Sequence, residues 1–129
     1  MLFSTIDHLV VTAPTLASGI QYVEQTLGCK MQPGGQHPRM GTHNTLLKIG
    51  DDCYLEVISI DPEAKPPQRK RWFELDRLLP QTRPQLATWV MRTNSIHKVT
   101  NATELELGVV EKMSRGTLEW QITIPSDAR

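Results

Sequence analysis

The sequence predicts an α+β fold in which two βαβββ-type modules form a curved mixed sheet around a cleft. The first observation is a β-α-β-β-β order over residues 1–60. The second is that Leu86–Thr93 aligns with Ile6–Ala13, so the opening strand pattern returns after a turn-rich linker over residues 61–85. The third is that the second module, residues 86–129, offers segments for only three strands and one helix. We therefore expect a single domain whose second module lacks its last strand.

Turn and cap residues divide the first module into its elements. An apolar run over residues 5–12 predicts a strand, and Thr15 after it suits the N-cap of a helix. Gly28 stands where a C-cap glycine belongs, and the apolar residues before it recur at helical spacing: Leu16, Ile20, Val23 and Leu27. Three strands are expected next. They cover residues 29–31, which Pro33-Gly34-Gly35 ends, and then residues 43–49 and 53–60 on either side of a turn at Gly50-Asp51-Asp52.

The linker and the second module are less regular. Trp72 and Phe73, with the leucines that follow them, predict a short helix packed over the mouth of the cavity. The basic triplet Arg69-Lys70-Arg71 is short and isolated in a neutral protein, so we interpret it as solvated linker rather than a nucleic-acid patch. The second module should contain a helix capped by Asn94 or Ser95 and ending near Leu105 and Leu107, followed by strands over residues 109–114 and 117–124.

Composition argues against several classes of protein. The formal net charge is zero, so no overall field favours nucleic acid or an acidic membrane surface. No apolar run approaches the roughly 20 residues that a transmembrane helix needs. The N-terminus lacks the basic region of a signal peptide, so we expect a cytoplasmic protein. The two cysteines, Cys29 and Cys53, have no metal-type spacing and do not form a disulfide framework.

Two potential metal ligands lie inside apolar strands, His8 in Ile6–Val11 and Glu56 in Cys53–Ile58. A carboxylate in such a run is costly to bury unless something pairs with it. Because side chains alternate along a strand, the two residues would share one concave face if their strands are neighbours. That arrangement would form half of a divalent-metal site. The competing interpretation is a hydrogen-bonded histidine, with the glutamate paired to an arginine or to solvent at a sheet edge.

The ordered set of motifs resembles the vicinal oxygen chelate superfamily, and within it the glyoxalase-like domain proteins. The segments that carry the resemblance span nearly the whole chain: Ile6–Val11, Gly41–Leu47, Asp52–Ile58, Arg71–Asp76 and Met113–Gly116. The resemblance implies paired βαβββ modules and a metal held by their first and fourth strands. His8 and Glu56 match those positions in the first module, whereas the second module offers Thr88 or Trp89, which departs from the glyoxalase I pattern.

The resemblance also implies a chemistry and a set of roles. A divalent ion (Zn, Ni, Mn or Fe), with no organic cofactor, would bind two vicinal oxygens of a small substrate and stabilise an oxyanion. His8 and Glu56 would bind the ion. His43 would be a third ligand if its side chain points inward, or would join Glu56 as a catalytic residue that moves a proton. Arg39 or Arg115 would orient an anionic substrate.

A metal-free binding module, as in the drug-sequestering relatives of the bleomycin-resistance type, is the alternative function. Trp72, Trp89 and Trp120 would then supply flat apolar walls for a small-molecule ligand, unless they serve only to pack the core. His37, in the segment that follows Gly34, would gate the cavity, and His97 is expected at the surface. A sheet without its last strand leaves backbone groups unpaired along an edge, so we also expect a homodimer that buries the second module.

Overall fold

The computed structural model describes residues 1–126, and this part of the chain confirms the predicted α+β class. Its strands are β1 (Ser4–Thr12), β2 (Gln32–His37), β3 (Thr42–Lys48), β4 (Tyr54–Ile60), β5 (Gln85–Thr93), β6 (Val109–Arg115) and β7 (Leu118–Ile124). Its helices are α1 (Leu16–Leu27), a 3₁₀ helix (Trp72–Arg77) and α2 (Ile96–Ala102). None of these helices combines the length and hydropathy needed to cross a membrane.

Five strands form one mixed sheet in the order β2-β3-β4-β1-β5. The central strand β1 runs parallel to β4, with α1 in the connection between them, and antiparallel to β5. Since β1 and β5 are the first strands of the two predicted modules, the modules meet along this pair. The strands that carry His8 and Glu56 are direct neighbours, with His8 beside Tyr54 and Val10 beside Glu56.

The two faces of the sheet are covered differently. α1 covers one face, where its Val23 packs against Val11, Leu55 and Val57. The helix lies so close to β4 that a Cβ added to Gly19 would come within 2.4 Å of a Val57 methyl group. The opposite face is covered by the 3₁₀ helix and by β6 and β7, through a second core: Val10, Met40, Ile58, Trp72, Leu75, Met113 and Ile124.

The start of β2 differs from the sequence prediction. The strand covers Gln32–His37, whereas a strand over residues 29–31 ended by Pro33-Gly34-Gly35 was expected. Gly34 and Gly35 do not end the strand. They lie at a register shift between Pro33 and Gln36, and the pairing with β3 continues on both sides of it.

The second module also departs from expectation. α2 is shorter than predicted, because Thr103 is extended (φ −105°, ψ 147°) and Leu105 and Leu107 lie beyond the helix. β6 and β7 pair with each other in a separate two-stranded sheet, so they do not continue the curved sheet that we expected. Within residues 1–126 no strand bridges them to β5, which therefore forms one edge of the main sheet.

The 3₁₀ helix contains an uncommon backbone conformation. Phe73 and Glu74 have φ angles of 58° and 55°, in the left-handed region that side chains with a Cβ disfavour. The turn directs Trp72 and Leu75 into the core beneath it. The predicted short helix over the candidate cleft is therefore present, and its strain is balanced by the burial of these two side chains.

Candidate functional site

His8 and Glu56 converge on the sheet face opposite α1. Because their strands are parallel neighbours, the two side chains project side by side, and His8 Nε2 lies 3.5 Å from Glu56 Oε1. Both are largely buried, with 13% and 8% of their side-chain surfaces exposed. Alternation along each strand predicted the face of each side chain, and the family resemblance implied that the two strands are neighbours.

Asp7 joins the pair, although strict alternation assigns it to the other face. A register shift between Ile6 and His8 in the pairing of β1 with β5 breaks the alternation. Asp7 Oδ2 then lies 2.7 Å from His8 Nδ1, so the imidazole donates from Nδ1 to the carboxylate. The Tyr54 ring stacks on His8, with ring centroids 4.6 Å apart and planes at 10°. Sequence reasoning missed Asp7 because a bulge leaves no clear local signature.

The environment of His8 shifts three pKa values. Burial disfavours the imidazolium, but hydrogen bonds to Glu56 and Asp7 outweigh burial and raise the pKa of His8. Burial likewise opposes ionisation of Asp7, but hydrogen bonds from His8 and Arg92 outweigh it and lower the pKa of Asp7. Burial, reinforced by the charges of Glu56 and Asp7, raises the pKa of Tyr54 and keeps its phenol neutral. Two carboxylates thus face one imidazole, an arrangement that attracts a proton or a metal cation.

Asn44 of β3 binds the other oxygen of Glu56. Its Nδ2 donates to Glu56 Oε2 at 2.6 Å and lies 3.2 Å from His37 Nε2. Its Oδ1 accepts the Gly35 N–H at 2.8 Å, and since a backbone N–H can only donate, this contact sets the orientation of the amide. His37 Nε2 is therefore an acceptor, and the His37 ring carries its proton on Nδ1.

His37 lies at the end of β2, between these polar groups and two tryptophans. Its ring meets those of Trp72 and Trp120 edge-on, with centroids 5.4 and 6.4 Å away. Burial lowers the pKa of His37; the charge of Glu56 opposes this shift, whereas those of Arg115 and His8 add to it. His37 therefore favours the neutral form and forms one wall of the site.

His43 is not brought to the site. In the register between β3 and β4 it pairs with Ser59, one residue out of phase with Asn44, so its side chain lies on the face opposite Glu56. Its Nδ1 is 4.0 Å from Asp61 Oδ1. The expectation that His43 is a third ligand or a proton carrier next to Glu56 is thus corrected by the register, and Asn44 has the position instead.

The two arginines predicted to orient a substrate lie in different places. Arg39 is bound to β6, donating to the Lys112 carbonyl at 2.6 Å and contacting Glu111 at 2.6 Å, so its guanidinium is occupied away from the site. Arg115 lies at the rim. A Cβ added to Gly35 would come within 3.1 Å of Arg115 Nη1, and the Arg115 charge acts on His37.

The tryptophans separate into two groups. Trp72 is buried in the core beside His37, and among the described residues its indole N–H has no hydrogen-bond partner. Trp120 is half-buried and also lies near His37. Trp89 is exposed on β5, where it pairs with Leu9 on the α1 side of the sheet. Two of the three predicted aromatic walls therefore border the site.

The donor atoms fit a divalent ion in part. His8 Nε2 and Glu56 Oε1 are close enough for one ion with ligand distances of about 2.0–2.2 Å, and Asp7 orients His8 as carboxylates orient metal-binding histidines. Within residues 1–126, however, no three His, Cys, Asp or Glu side chains are grouped as a metal site. An ion here would have two protein donors, and its other ligands would be water or substrate.

Comparison with known families agrees with this architecture. The family model described as a glyoxalase-like domain matches residues 6–129, a span that includes both His8 and Glu56. The chain belongs to the glyoxalase-like domain family, which confirms the resemblance found in the motif order. No curated protein and no solved structure shows significant similarity to the chain.

Proposed function

We propose that this protein binds a divalent metal ion between His8 and Glu56 and, through that ion, a small substrate with two vicinal oxygens. The reaction would be of the lyase, isomerase or dioxygenase type. The observation that carries the proposal is the 3.5 Å approach of His8 Nε2 to Glu56 Oε1, with the opposite ring nitrogen already committed to Asp7.

The protonation of this group supports a cation. With Nδ1 donating to Asp7, a neutral His8 presents the lone pair of Nε2 to the Glu56 carboxylate, and two electron-rich atoms then face each other. A proton or a metal ion between them would relieve this repulsion. Zinc, nickel, manganese and iron all accept imidazole and carboxylate donors. The raised pKa of His8 has the same origin, because the site stabilises positive charge at that point.

The residues around the pair would have distinct roles. The bound ion would polarise the substrate oxygens and stabilise an oxyanion. Glu56, held by Asn44 through Oε2, would keep its other oxygen directed at the ion or at a transferable proton. Arg115 at the rim would pair with an anionic group of the substrate. His43 and Arg39 have no part in this proposal, since their contacts lie elsewhere.

Metal binding is tested by zinc titration calorimetry on the chelator-treated protein, together with metal analysis of the protein as purified. We expect about one ion per chain and a loss of affinity of at least about 100-fold in His8→Ala and in Glu56→Gln. His97→Ala is the matched control, because His97 is exposed on α2. A wild-type protein that binds no zinc, manganese, nickel or iron(II) would reject the proposal, and so would a His8→Ala variant that binds as tightly as the wild type.

The second candidate is metal-free binding of an aromatic ligand, and the position of His37 between Trp72 and Trp120 favours it. Quenching of tryptophan fluorescence by planar ligands in chelator-treated protein tests this function. Binding that is lost in Trp120→Ala but retained in Trp89→Ala supports sequestration, because Trp89 lies on the other side of the sheet. Equal binding by both variants would count against it.

We also propose a homodimer in which β5 meets a second copy of the chain. β5 is an edge strand, and its side chains on the α1 face are apolar and exposed: Leu86, Trp89 and Met91. Ile6, which pairs with Met91, extends this surface and is also exposed. Monomers rarely leave a contiguous apolar surface of this kind in water.

A further inference from the structure

A continuous series of polar contacts crosses the main sheet and draws on every one of its strands. It begins on β5 with Arg92, passes through Asp7 and His8 on β1 and Glu56 on β4, and ends at Asn44 on β3 with its contacts to β2. The successive distances are 3.1 Å for Arg92–Asp7, 2.7 Å for Asp7–His8, 3.5 Å for His8–Glu56 and 2.6 Å for Glu56–Asn44. We call this series the polar row.

Arg92 is the residue that the second module contributes to the polar row. Its Nη1 donates to Asp7 Oδ1 at 3.1 Å and to the Asp52 carbonyl, in the turn between β3 and β4, at 2.7 Å. The guanidinium therefore links β5 to the first module at two points. Both bonds come from the same nitrogen, so a lysine ammonium, which has three donors, can replace the guanidinium in part.

Asp7 divides its two oxygens between Arg92 and His8. Oδ1 accepts from Arg92 and Oδ2 accepts from His8 Nδ1, so rotation of the carboxylate would break one contact or both. The stacking of Tyr54 sets the plane of the His8 ring but does not select the protonated nitrogen. Two carboxylates compete for the single proton of a neutral His8, and Asp7 Oδ2 is closer to Nδ1 (2.7 Å) than Glu56 Oε1 is to Nε2 (3.5 Å). The selection of Nδ1 therefore depends on the shorter Asp7 contact, and Arg92 holds Asp7 in place.

We propose that Arg92 and Asp7 are positioning residues that hold His8 in its Nδ1–H tautomer, with the lone pair of Nε2 directed at Glu56. This positioning role would serve the metal-binding function proposed above and rests on that function. The tautomer itself is a property of the metal-free protein and can be measured without an ion. The proposal also gives the second module a role in the site, although that module's own first strand offers Thr88 and Trp89 at the ligand position.

The tautomer is read from two-bond ¹H–¹⁵N correlations of ¹⁵N-histidine-labelled, metal-free protein at alkaline pH, where imidazoles are neutral. We expect the wild-type His8 ring to carry its proton on Nδ1. In Asp7→Ala and Arg92→Met the Nε2–H form should rise to at least about half of the population. Arg77→Met is the matched control, because Arg77 contacts Glu74 at the surface and should leave the His8 tautomer unchanged. Arg92→Lys retains the charge and should restore part of the selection.

Zinc affinity supplies a second measurement on the same variants. Removing groups that orient a metal ligand typically weakens binding by about 10–100-fold, and we expect that loss in Arg92→Met and Asp7→Ala but not in Arg77→Met. If Arg92→Met fails to fold, judged by circular dichroism and thermal unfolding, Asp7→Ala still tests the loss of selection, and Arg92→Lys should show a smaller loss.

The two hypotheses fail in different ways. A wild-type His8 with its proton on Nε2, or a tautomer that is unchanged in both Asp7→Ala and the Arg92 variants, overturns the positioning role whatever the zinc result. Loss of tautomer selection in a protein that binds none of the metals tested upholds the positioning role and rejects the metal-binding function.

Discussion

Asn44 donates a 2.6 Å hydrogen bond from Nδ2 to Oε2 of Glu56 across the β3–β4 pair. The buried carboxylate therefore has a different partner at each oxygen, Asn44 at Oε2 and His8 at Oε1. Because Asn44 also accepts the Gly35 N–H, the orientation of Glu56 depends on β2 and β3 as well as on its own strand. Changes in Asn44 and in the backbone beside it are expected to disturb the site without touching an ion ligand.

Replacing Asn44 by alanine should destabilise the protein, because the buried Glu56 oxygen and the Gly35 N–H both lose their partner. The expected decrease in the free energy of unfolding is about 1–3 kcal/mol. Urea unfolding measures it, with Asn101→Ala on the exposed surface of α2 as the control, expected within about 0.5 kcal/mol of wild type. If the two variants are equally stable, the Asn44 bonds contribute nothing to folding.

Gly34→Ala should have a related effect through sterics. A Cβ at this position would come within 2.1 Å of Asn44 Oδ1 and 2.4 Å of the Asn44 carbonyl oxygen, so β2 or Asn44 must move. We expect a loss of about 1–3 kcal/mol in urea unfolding together with weaker zinc binding. Gly50→Ala is the control, because its added Cβ would meet nothing closer than Cys53 Cβ at 3.9 Å. Unchanged stability in Gly34→Ala would mean that the strand yields easily at this point.

His37 should make stability depend on pH. Its pKa is lowered in the folded state by burial, so the folded protein binds fewer protons than the unfolded chain between the two pKa values. The stability that neutral His37 contributes is fully present above the pKa of the unfolded chain, about 6.5. It is lost as the pH falls through the pKa of His37 in the folded protein.

The His37 contribution is isolated by comparing urea midpoints of wild type and His37→Gln from pH 8 down to pH 5. The wild type should lose more stability than His37→Gln over this range, whereas His97→Gln should follow the wild type because His97 is exposed. A wild type and His37→Gln with parallel pH profiles would contradict the assignment.

Light scattering tests the proposed dimer. We expect a dimer at micromolar concentration and a monomer in Trp89→Glu, because the substitution places a charge in the exposed apolar surface of β5. Leu79→Glu, an exposed apolar position after the 3₁₀ helix, should remain dimeric. A monomeric wild type, with fast amide exchange in β5, would reject the interface.

The sequence was informative wherever a feature depended on one strand alone. Alternation within β1 and β4 assigned the faces of His8 and Glu56, and the family resemblance implied that the two strands are neighbours, which they are, as a parallel pair. The identity of the third residue, the one on β3 that contacts Glu56, depended on the register between β3 and β4. A shift of this register by one residue would bring His43 instead of Asn44 to the face of Glu56, and the sequence carries no signal strong enough to set that register.

Asp7 and β2 show the second limit. A bulge in β1 brings Asp7 to His8, and a register shift keeps the Gly34–Gly35 pair inside β2. From the sequence alone, alternation assigns Asp7 to the other face and the glycine pair is expected to end the strand. Such irregularities are settled by contacts with distant residues, here Arg92 and Asn44. Pattern reasoning treats each segment locally and therefore misses them.

The edge position of β5 has a consequence for the thermodynamics of the site. An edge strand with few covering contacts opens locally at a lower free-energy cost than a central one, so β5 is expected to fray before β1 separates from β4. Each such opening withdraws Arg92 from Asp7 while His8 and Glu56 stay adjacent. A second chain that covers β5 would suppress the opening and so tighten metal binding from a distance. By reciprocity, metal binding would strengthen association of the two chains by the same factor.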